Sequence, residues 1–595
     1  MRVSSNMLFD SNVAAMTQQQ ERLMRTQQQV STGRKILTAS DDPVAAARAL
    51  DVTQSDAMNT QYATNRGAAR HTLSLAESTL QGVTSLLQDV KTAMVNAGNG
   101  TLNPSDRRTM ATELSGRLQE LAGLANSTDG IGNFLFAGFQ SKTTPFVSTS
   151  AGMAYFGDDG QRNVQVSSTR QMPSSGNGAD MFMRIKDGNG TFATQATSGN
   201  TGTGVISQGS IVNQTALTGH SYTIAYTGPT AAAVAGNTGN GAISTPTVVN
   251  KAALTGKDYG ITFSGPATYD VTDLTVPSNT QTITTLDFSG GDGTFVVDVA
   301  GDNDTVTLNA NYANEAALVA KIQADLDAGA GGAGAYTVTS TGTVAGANFA
   351  VSIVRAAGGA AVTVSAANAA AIAGGIANSP GGASVLADQP YVSGQNISFD
   401  GLQFNIQDGA AAFITGDTFT VSSPGYTVTD TTTAAVVLPT PPATGRVVHV
   451  SGQAISFDGI QIDIQGDPAA GDTFTVSPST NESVFKTLTD LIAALNAPVV
   501  GASLTNSLNR GLNQLDNALN NVLTTRSSLG LRLNEIDALQ TAGEDLGLQF
   551  KQTLSELQDV DYNQAISDLV RQQTNLQAAQ QTFSKVAGLS LFDYI

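Results

Sequence analysis

Apolar residues recur at helical spacing at both ends of the chain, and a long region with a different pattern separates the two ends. Near the start, five apolar side chains follow a heptad spacing within residues 6–31: Phe9, Val13, Met16, Leu23 and Val30. Gly33 then stops the pattern. Pro43, which follows two aspartates, predicts the start of a second helix, because proline is favoured in the first helical turn.

Longer apolar seams follow on both sides of the central region. Residues 44–97 predict one long helix, and a third helix is predicted from about residue 103 to the glycines near residue 130. Helix returns near residue 482, with a seam from Leu504 to Leu557 that is interrupted by Arg526 and weakened near Gly543. One apolar seam cannot bury itself, so we expect the two helical parts to pack together. An ordinary intramolecular bundle would also satisfy this pattern.

The last predicted helix carries a thin apolar stripe on a surface rich in Gln and Asn. Its apolar positions are Ile566, Leu569, Leu576 and Phe583, and Leu589, Leu591 and Phe592 follow near the end of the sequence. Chain ends are usually polar and frayed. We therefore expect this stripe to pack against residues 6–31 of the same chain and against neighbouring subunits, with both terminal segments ordering on assembly.

The centre reads as β-structure. Residues 134–480 are rich in Gly, Thr, Ser, Ala and Val, with short alternating runs typical of half-buried strands and one helix expected near residues 314–326. Two repeats are visible within this region. Residues 216–229 recur as 253–266, and residues 393–421 recur as 451–476. The second pair predicts duplicated modules built on β-hairpins, and two copies are too few for a solenoid.

The predicted fold class is α+β: long N- and C-terminal helices paired in an elongated coiled-coil-like bundle, with β-rich domains inserted between them. Four parts are expected. Residues 1–43 with 561–595 would form terminal polymerisation helices, and residues 44–147 with 482–560 a long-helix bundle. Residues 148–392 would form β-rich outer structure, and residues 393–480 a duplicated β-hairpin module.

Charge and composition narrow the function classes. The net charge is −19, and most of it belongs to residues 148–480, which carry 9 basic and 24 acidic side chains. Such a chain is a poor nucleic-acid binder. The absence of cysteine excludes disulfides and thiolate chemistry. Neither a Sec-type signal peptide nor a membrane-spanning run is expected from the sequence.

No residue pattern predicts catalysis, a cofactor or a metal. The three histidines, His71, His220 and His449, lack the spacing of an HExxH zinc motif. A GxGxxG match at residues 329–334 follows a predicted helix, whereas a dinucleotide site would need it to open one. The aspartates at 298, 302 and 304 are expected to mark a hairpin turn, because the glycine and distal glutamate of a calcium loop are missing.

The motifs at the two ends resemble those of the flagellin-like axial proteins of the bacterial flagellum, most closely the hook-associated members. The N-terminal resemblance lies in residues 29–34 and 40–50, QVSTGR and SDDPVAAARAL. The middle one lies in residues 132–138, GNFLFAG, with Pro145 and Phe146. The C-terminal one lies in residues 561–569, DYNQAISDL, and in the ending LSLFDYI.

The resemblance implies a non-enzymatic structural subunit that forms the junction between hook and filament, polymerising through its terminal helices outside the cell. It implies export through the flagellar type III route without a cleaved signal. The implied partners are other copies of the chain, an adjacent hook-associated protein, flagellin, and an export chaperone on the C-terminal helix. The alternatives are a filament subunit with an enlarged outer domain and a secreted adhesin-like surface protein.

Overall fold

A computed structural model describes residues 5–587 apart from 101, 151, 299–302, 330–331, 333–334, 342–343, 345–348, 356–361, 366, 369, 372–375, 377–379, 441–444 and 499. Within these residues the chain is helical at both ends and β-rich in the middle, which confirms the predicted α+β class.

The helices of the described residues match the sequence periodicity closely. They are α1 (Ser5–Thr32), α2 (Pro43–Ala97), α3 (Pro104–Ala125), α4 (Gly178–Phe182), α5 (Glu315–Asp327), α6 (Val484–Asn496), α7 (Ala502–Gln558) and α8 (Tyr562–Ala587). Helix α2 begins at its proline as predicted, and α5 lies where one helix was expected among the strands. In α2 the apolar seam is buried from Leu73 to Ala97. In α7 most seam positions from Leu504 to Ile536 are buried.

The strands between these helices pair antiparallel. They are β1 (Phe146–Thr149), β2 (Gly152–Tyr155), β3 (Asn163–Gln165), β4 (Gln171–Pro173), β5 (Ile185–Lys186), β6 (Phe192–Ala196), β7 (Val205–Ile206), β8 (Ser210–Ile211), β9 (Tyr222–Thr227), β10 (Thr230–Ala233), β11 (Ala242–Ile243), β12 (Thr247–Val248), β13 (Asp258–Gly265), β14 (Thr268–Thr282), β15 (Gly293–Asp298), β16 (Asp304–Leu308), β17 (Tyr336–Thr341), β18 (Ala350–Arg355), β19 (Thr363–Ser365), β20 (Pro380–Pro390), β21 (Asn396–Phe399), β22 (Leu402–Gln407), β23 (Thr418–Ser422), β24 (Gly425–Asp430), β25 (Ala435–Leu438), β26 (Ala454–Phe457), β27 (Ile460–Gln465), β28 (Thr473–Pro478) and β29 (Asn481–Glu482).

Two compact units divide the chain. The first contains residues 1–87, 119–183 and 519–595. Beside its helices it has two small hairpins, β1–β2 and β3–β4. Three buried aromatic rings form the core of its β-part. The ring of Phe182 lies edge-on to that of Phe136, with centroids 5.6 Å apart, and edge-on to that of Phe146, with centroids 5.4 Å apart. The GNFLFAG motif and the following Pro–Phe pair therefore supply a local core.

The second unit contains residues 88–118 and 184–518, and its β-part has three hydrophobic cores. The first β-module, residues 192–227 with 425–478, has a sheet in the order β25-β24-β9-β28-β6 facing the hairpin β26–β27 with β7 and β8. The second β-module, residues 230–271 with 385–422, joins β10, β23, β13 and β14 to β21 and β22. The third module, residues 283–376, packs α5 on β15–β19.

These cores correct the predicted domain boundaries. Residues 393–480 do not form a module of their own, because the hairpin β21–β22 packs in the second β-module and β26–β27 packs in the first. The repeat was read correctly as a hairpin, but its partners lie more than 130 residues earlier in the sequence. The long-helix part is also divided, since both α2 and α7 contribute to each compact unit.

The two expected defects in the α7 seam are occupied by partners in the first unit. Arg526 donates through Nη2 to Glu77 Oε1 at 2.8 Å, so the charged position is paired across to α2. Near Gly543 the helix is continuous, and the missing side chain leaves room for Arg66. A Cβ on Gly543 would lie 2.3 Å from Arg66 Nη2. The glycine therefore does not break the helix, and the expected local weakening stays a prediction.

Candidate assembly surface

The two terminal helices lie together in the first unit and are joined by a short backbone clasp. The amide of Val560 donates to Gly33 O at 2.9 Å, and the amide of Lys35 donates to Gln558 O at 2.6 Å. These bonds connect the end of α1 to the turn between α7 and α8. The sequence marked both sites as helix breakers, but it gave no sign that the two breaks pair.

Gly33 fits this clasp for two reasons. Its φ is +70°, which favours glycine, and a Cβ at this position would lie 2.9 Å from the hydroxyl oxygen of Tyr562. The residues after it are held by Asp41, whose Oδ2 accepts from the amides of Thr38 at 3.0 Å and Leu37 at 2.9 Å. Those hydrogen bonds lower the pKa of Asp41, which also pairs with Arg25 of α1 at 2.7 Å.

Helices α1 and α8 run antiparallel. The clasp sets Gly33 beside Val560, and at the other end the rings of Phe9 and Phe583 lie 5.1 Å apart. Since both helices rise equally per residue, Leu23 and Leu569 lie at the same level between these points. The predicted pairing of the N- and C-terminal stripes within one chain is therefore present in the structure.

The single chain buries only part of the predicted stripe. Leu576 is 9% exposed, and Met16, Leu23, Val30, Leu569 and Phe583 are partly buried. By contrast, Phe9, Val13 and Ile566 remain exposed, Phe9 at 51% and Ile566 at 48%. The predicted positions Leu589, Leu591 and Phe592 lie outside the described residues. The stripe thus divides into positions that hold α1 to α8 and positions left open to solvent.

Further exposed apolar side chains extend the open part of this surface. On α8, Tyr562 and Val570 lie one turn on either side of Ile566, and Val570 is 55% exposed. On α1, Met7 and Met24 are also exposed. The heptad pattern missed Met7, Met24 and Val570 because they lie off its register, and Tyr562, seven residues before Leu569, was not included in it. A search for steps of four, which place side chains on one helix face, would have found Tyr562, Ile566 and Val570. We call these exposed positions together the open stripe: Phe9 and Val13 near one end of the helix pair, and Tyr562, Ile566 and Val570 near the other.

Such an arrangement suits association. Groups of apolar side chains exposed on adjoining helices mark interaction surfaces in soluble proteins. Among the described residues, no group of three or more His, Asp or Glu side chains is placed to hold a metal ion. His220 instead contacts Asp430, and His449 bonds Tyr226 and the carbonyl of Gly466 inside the first β-module. Within the same described ranges, no helix combines the length and hydropathy needed to cross a membrane.

Both helical ends match known family models. Residues 3–141 match the bacterial flagellin N-terminal helical region, and residues 512–595 match the bacterial flagellin C-terminal helical region. Both ends of the chain are therefore similar to flagellin helical regions. The matched segments include α1 and α8, so the open stripe of this flagellin-like chain lies within the regions that define the family models.

Two curated relatives carry the same printed name, flagellar hook-associated protein 3. The flagellin-like chain is 40% identical over 185 residues to the one from Salmonella typhimurium (strain LT2) and 38% identical over 185 residues to the one from Escherichia coli (strain K12). Each match covers 31% of this chain and 58% of the relative. The aligned part therefore spans somewhat more than half the length of these curated proteins.

The fold has a solved counterpart. The crystal structure of flagellar hook associated protein-3 from Legionella pneumophila superposes with a TM-score of 0.50, covering 85% of this chain and 98% of that chain at 21% identity. At this identity the likeness concerns the fold. It agrees with the order of elements along this chain, in which helical ends flank a β-rich centre in the sequence.

Proposed function

We propose that this flagellin-like chain is a structural subunit of the bacterial flagellum that joins the hook to the filament. The observation that carries the proposal is the open stripe, an apolar surface on α1 and α8 that the single chain leaves in solvent. It lies on helices that match the flagellin terminal regions, in a chain similar to two proteins named flagellar hook-associated protein 3.

Polymerisation would bury this stripe against other copies. Removing apolar surface from water contributes roughly 25 cal/mol per Å², so burying the half-exposed large side chains of each subunit would contribute to association. The Gln- and Asn-rich remainder of both helices adds hydrogen-bonding groups that can pair across a subunit boundary without burying charge. We therefore assign α1 and α8 to assembly and the acidic β-rich centre to the exterior.

The partners follow from the position of a junction. Copies of the same chain would contact through the open stripe, with an adjacent hook-associated protein on one side and flagellin on the other. Before assembly, α8 presents an exposed apolar face, so it is the segment on which we place an export chaperone. The chain would then leave the cell through the flagellar type III route and act outside the cell without catalysis.

A strain that lacks this chain tests the junction role. We expect it to retain hooks, to lack attached filaments and to release flagellin into the medium, since a junction subunit is needed to hold the filament. Electron microscopy of cells and immunoblots of the medium measure the three properties. Filaments that stay attached would contradict the proposal and favour an adhesin-like protein, and loss of the flagellin itself would identify a filament subunit.

A further inference from the structure

The two sequence repeats of the centre pair in a nested order: the outer two segments pair with each other, and so do the inner two. Strand β9, from the first copy of the earlier repeat, pairs with β28, from the last copy of the later repeat, with Tyr222 opposite Val476. Strand β13, from the second copy of the earlier repeat, pairs with β23, with Tyr259 opposite Val421. The earliest and latest segments thus form the first β-module, and the two inner segments form the second.

Equivalent side chains make equivalent bonds in the two modules. Tyr222 donates its hydroxyl to Asp458 Oδ2 at 2.8 Å in the first module, and Tyr259 donates to Asp400 Oδ2 at 2.6 Å in the second. Burial is the largest cause that raises the pKa of Tyr222 to about 12, and it raises the pKa of Tyr259 in the same direction. Both hydroxyls therefore stay protonated and able to donate.

A second contact is repeated as closely. Asp472 accepts from the amides of Thr201 at 2.8 Å and Gly202 at 3.0 Å. In the second module, Asp417 accepts from the amides of Thr238 at 2.6 Å and Gly239 at 2.8 Å.

A glycine turn is repeated as well. Gly459 and Gly401 both have a φ of +79°, and a Cβ on either would lie 2.2 Å from a backbone carbonyl oxygen, that of Asn213 or Asn250. The two modules therefore share one fold in detail, beyond their similar sequence.

The two modules differ in how one pair of neighbouring strands is connected. In the second module, β13 turns directly into its neighbour β14, with Gly265 opposite Thr268. In the first module, the corresponding neighbour of β9 is β24, with Thr227 opposite Gly425. Residues 228–424, which include the whole second module and the third, lie between these two paired positions. The hairpin that is continuous in one copy is interrupted in the other.

We infer that the second β-module is a copy of the first, inserted into the β9–β24 hairpin together with the third module. Residues 228–424 therefore form a removable unit, and the first module folds without them. Paired residues of antiparallel strands lie about 5 Å apart, so a two-residue turn closes the gap between Thr227 and Gly425. This inference does not depend on the proposed junction role, because hydrogen exchange of the purified chain tests it without any assembly.

Excision of residues 228–424 from the full chain tests the inference. Thr227 is joined to Gly425 by Asn-Gly, and hydrogen exchange is followed at β9 and β28. We expect protection within about threefold of the parent chain, since every strand of the first module remains. The matched control removes the same number of residues, 234–430, and so deletes β24 with its buried Val428. Its β9 should lose protection. Unprotected β9 in the first variant, or equal protection in both, would overturn the inference.

Two equivalent core substitutions provide a second test in the full-length chain. Ile224 and Ile261 occupy the same position in the two modules, and both are fully buried. Aspartate at either site places an unpaired charge in its core. We expect Ile224→Asp to lower protection in β9 and β28 by at least roughly 100-fold while β13 and β23 stay protected, and Ile261→Asp to do the reverse. Loss of protection in both modules from either substitution would show one cooperative unit and contradict the inference.

Discussion

At the scale of single residues, the contact between the terminal helices includes one position, Gly33, where a side chain does not fit. Gly33 combines a positive φ with the close approach of the Tyr562 hydroxyl, and its carbonyl accepts the amide of Val560. The sequence indicated Gly33 as a helix stop. It could not indicate the clasp, because the partner residues lie more than 500 positions away and carry no matching pattern.

Gly33→Ala should loosen the clasp between α1 and α8. A non-glycine residue with this φ costs about 1–3 kcal/mol, and the added methyl also displaces the Tyr562 hydroxyl. Hydrogen exchange of α1 and α8 measures the effect, and we expect faster exchange in both helices. The matched control is Gly67→Ala in α2, where a Cβ meets nothing within 4 Å. That change should stabilise the helix by up to about 1 kcal/mol. Unchanged exchange in Gly33→Ala would show that the clasp does not hold the helices.

At the scale of elements, heptad periodicity predicted α1, α2, α7 and α8 well, because each carries one stripe of apolar residues. It did not reveal the polar contacts that replace that stripe in part of α7. Arg66 is buried, and its Nε donates to Gln540 Oε1 at 2.9 Å while its Nη1 donates to Val166 O at 2.9 Å. Burial lowers the pKa of Arg66, whose guanidinium still stays charged at neutral pH. Pattern reading counts apolar residues and misses such a polar contact.

Gly543→Ala should therefore destabilise the first unit, although alanine is the better helix former. The propensity gain is up to about 1 kcal/mol, whereas displacing Arg66 weakens hydrogen bonds to a charged group worth about 1.5–3 kcal/mol. We expect a net loss near 1 kcal/mol in chemical denaturation. Gly530→Ala in the same helix is the control, since its Cβ would meet nothing within 4 Å, and it should gain stability. Equal gains in both variants would contradict this role of Gly543.

At the scale of the whole molecule, the sequence predicted helical ends and a β-rich centre but misassigned the modules of the centre. The repeats were visible, yet two pairs of similar segments do not reveal which segment packs with which. The nested pairing of β9 with β28 and of β13 with β23 is decided by contacts between distant parts of the chain. The same limit applies to the assembly surface. Periodicity identified Phe9, Val13 and Ile566, and the structure shows that these are the positions a single chain leaves open.

We expect the open stripe of α1 and α8 to serve assembly and not the folding of one subunit. The most direct test is a chain carrying Ile566→Asp and Val570→Asp, with Asn575→Asp, at an exposed polar position on another face of α8, as the matched control. Both chains are expressed in cells that lack the parent protein. We then count attached filaments and measure thermal unfolding of the purified monomers. We expect unchanged unfolding in both variants and loss of filaments only with the double substitution; normal filaments on cells carrying the double variant would contradict a role of the open stripe in assembly.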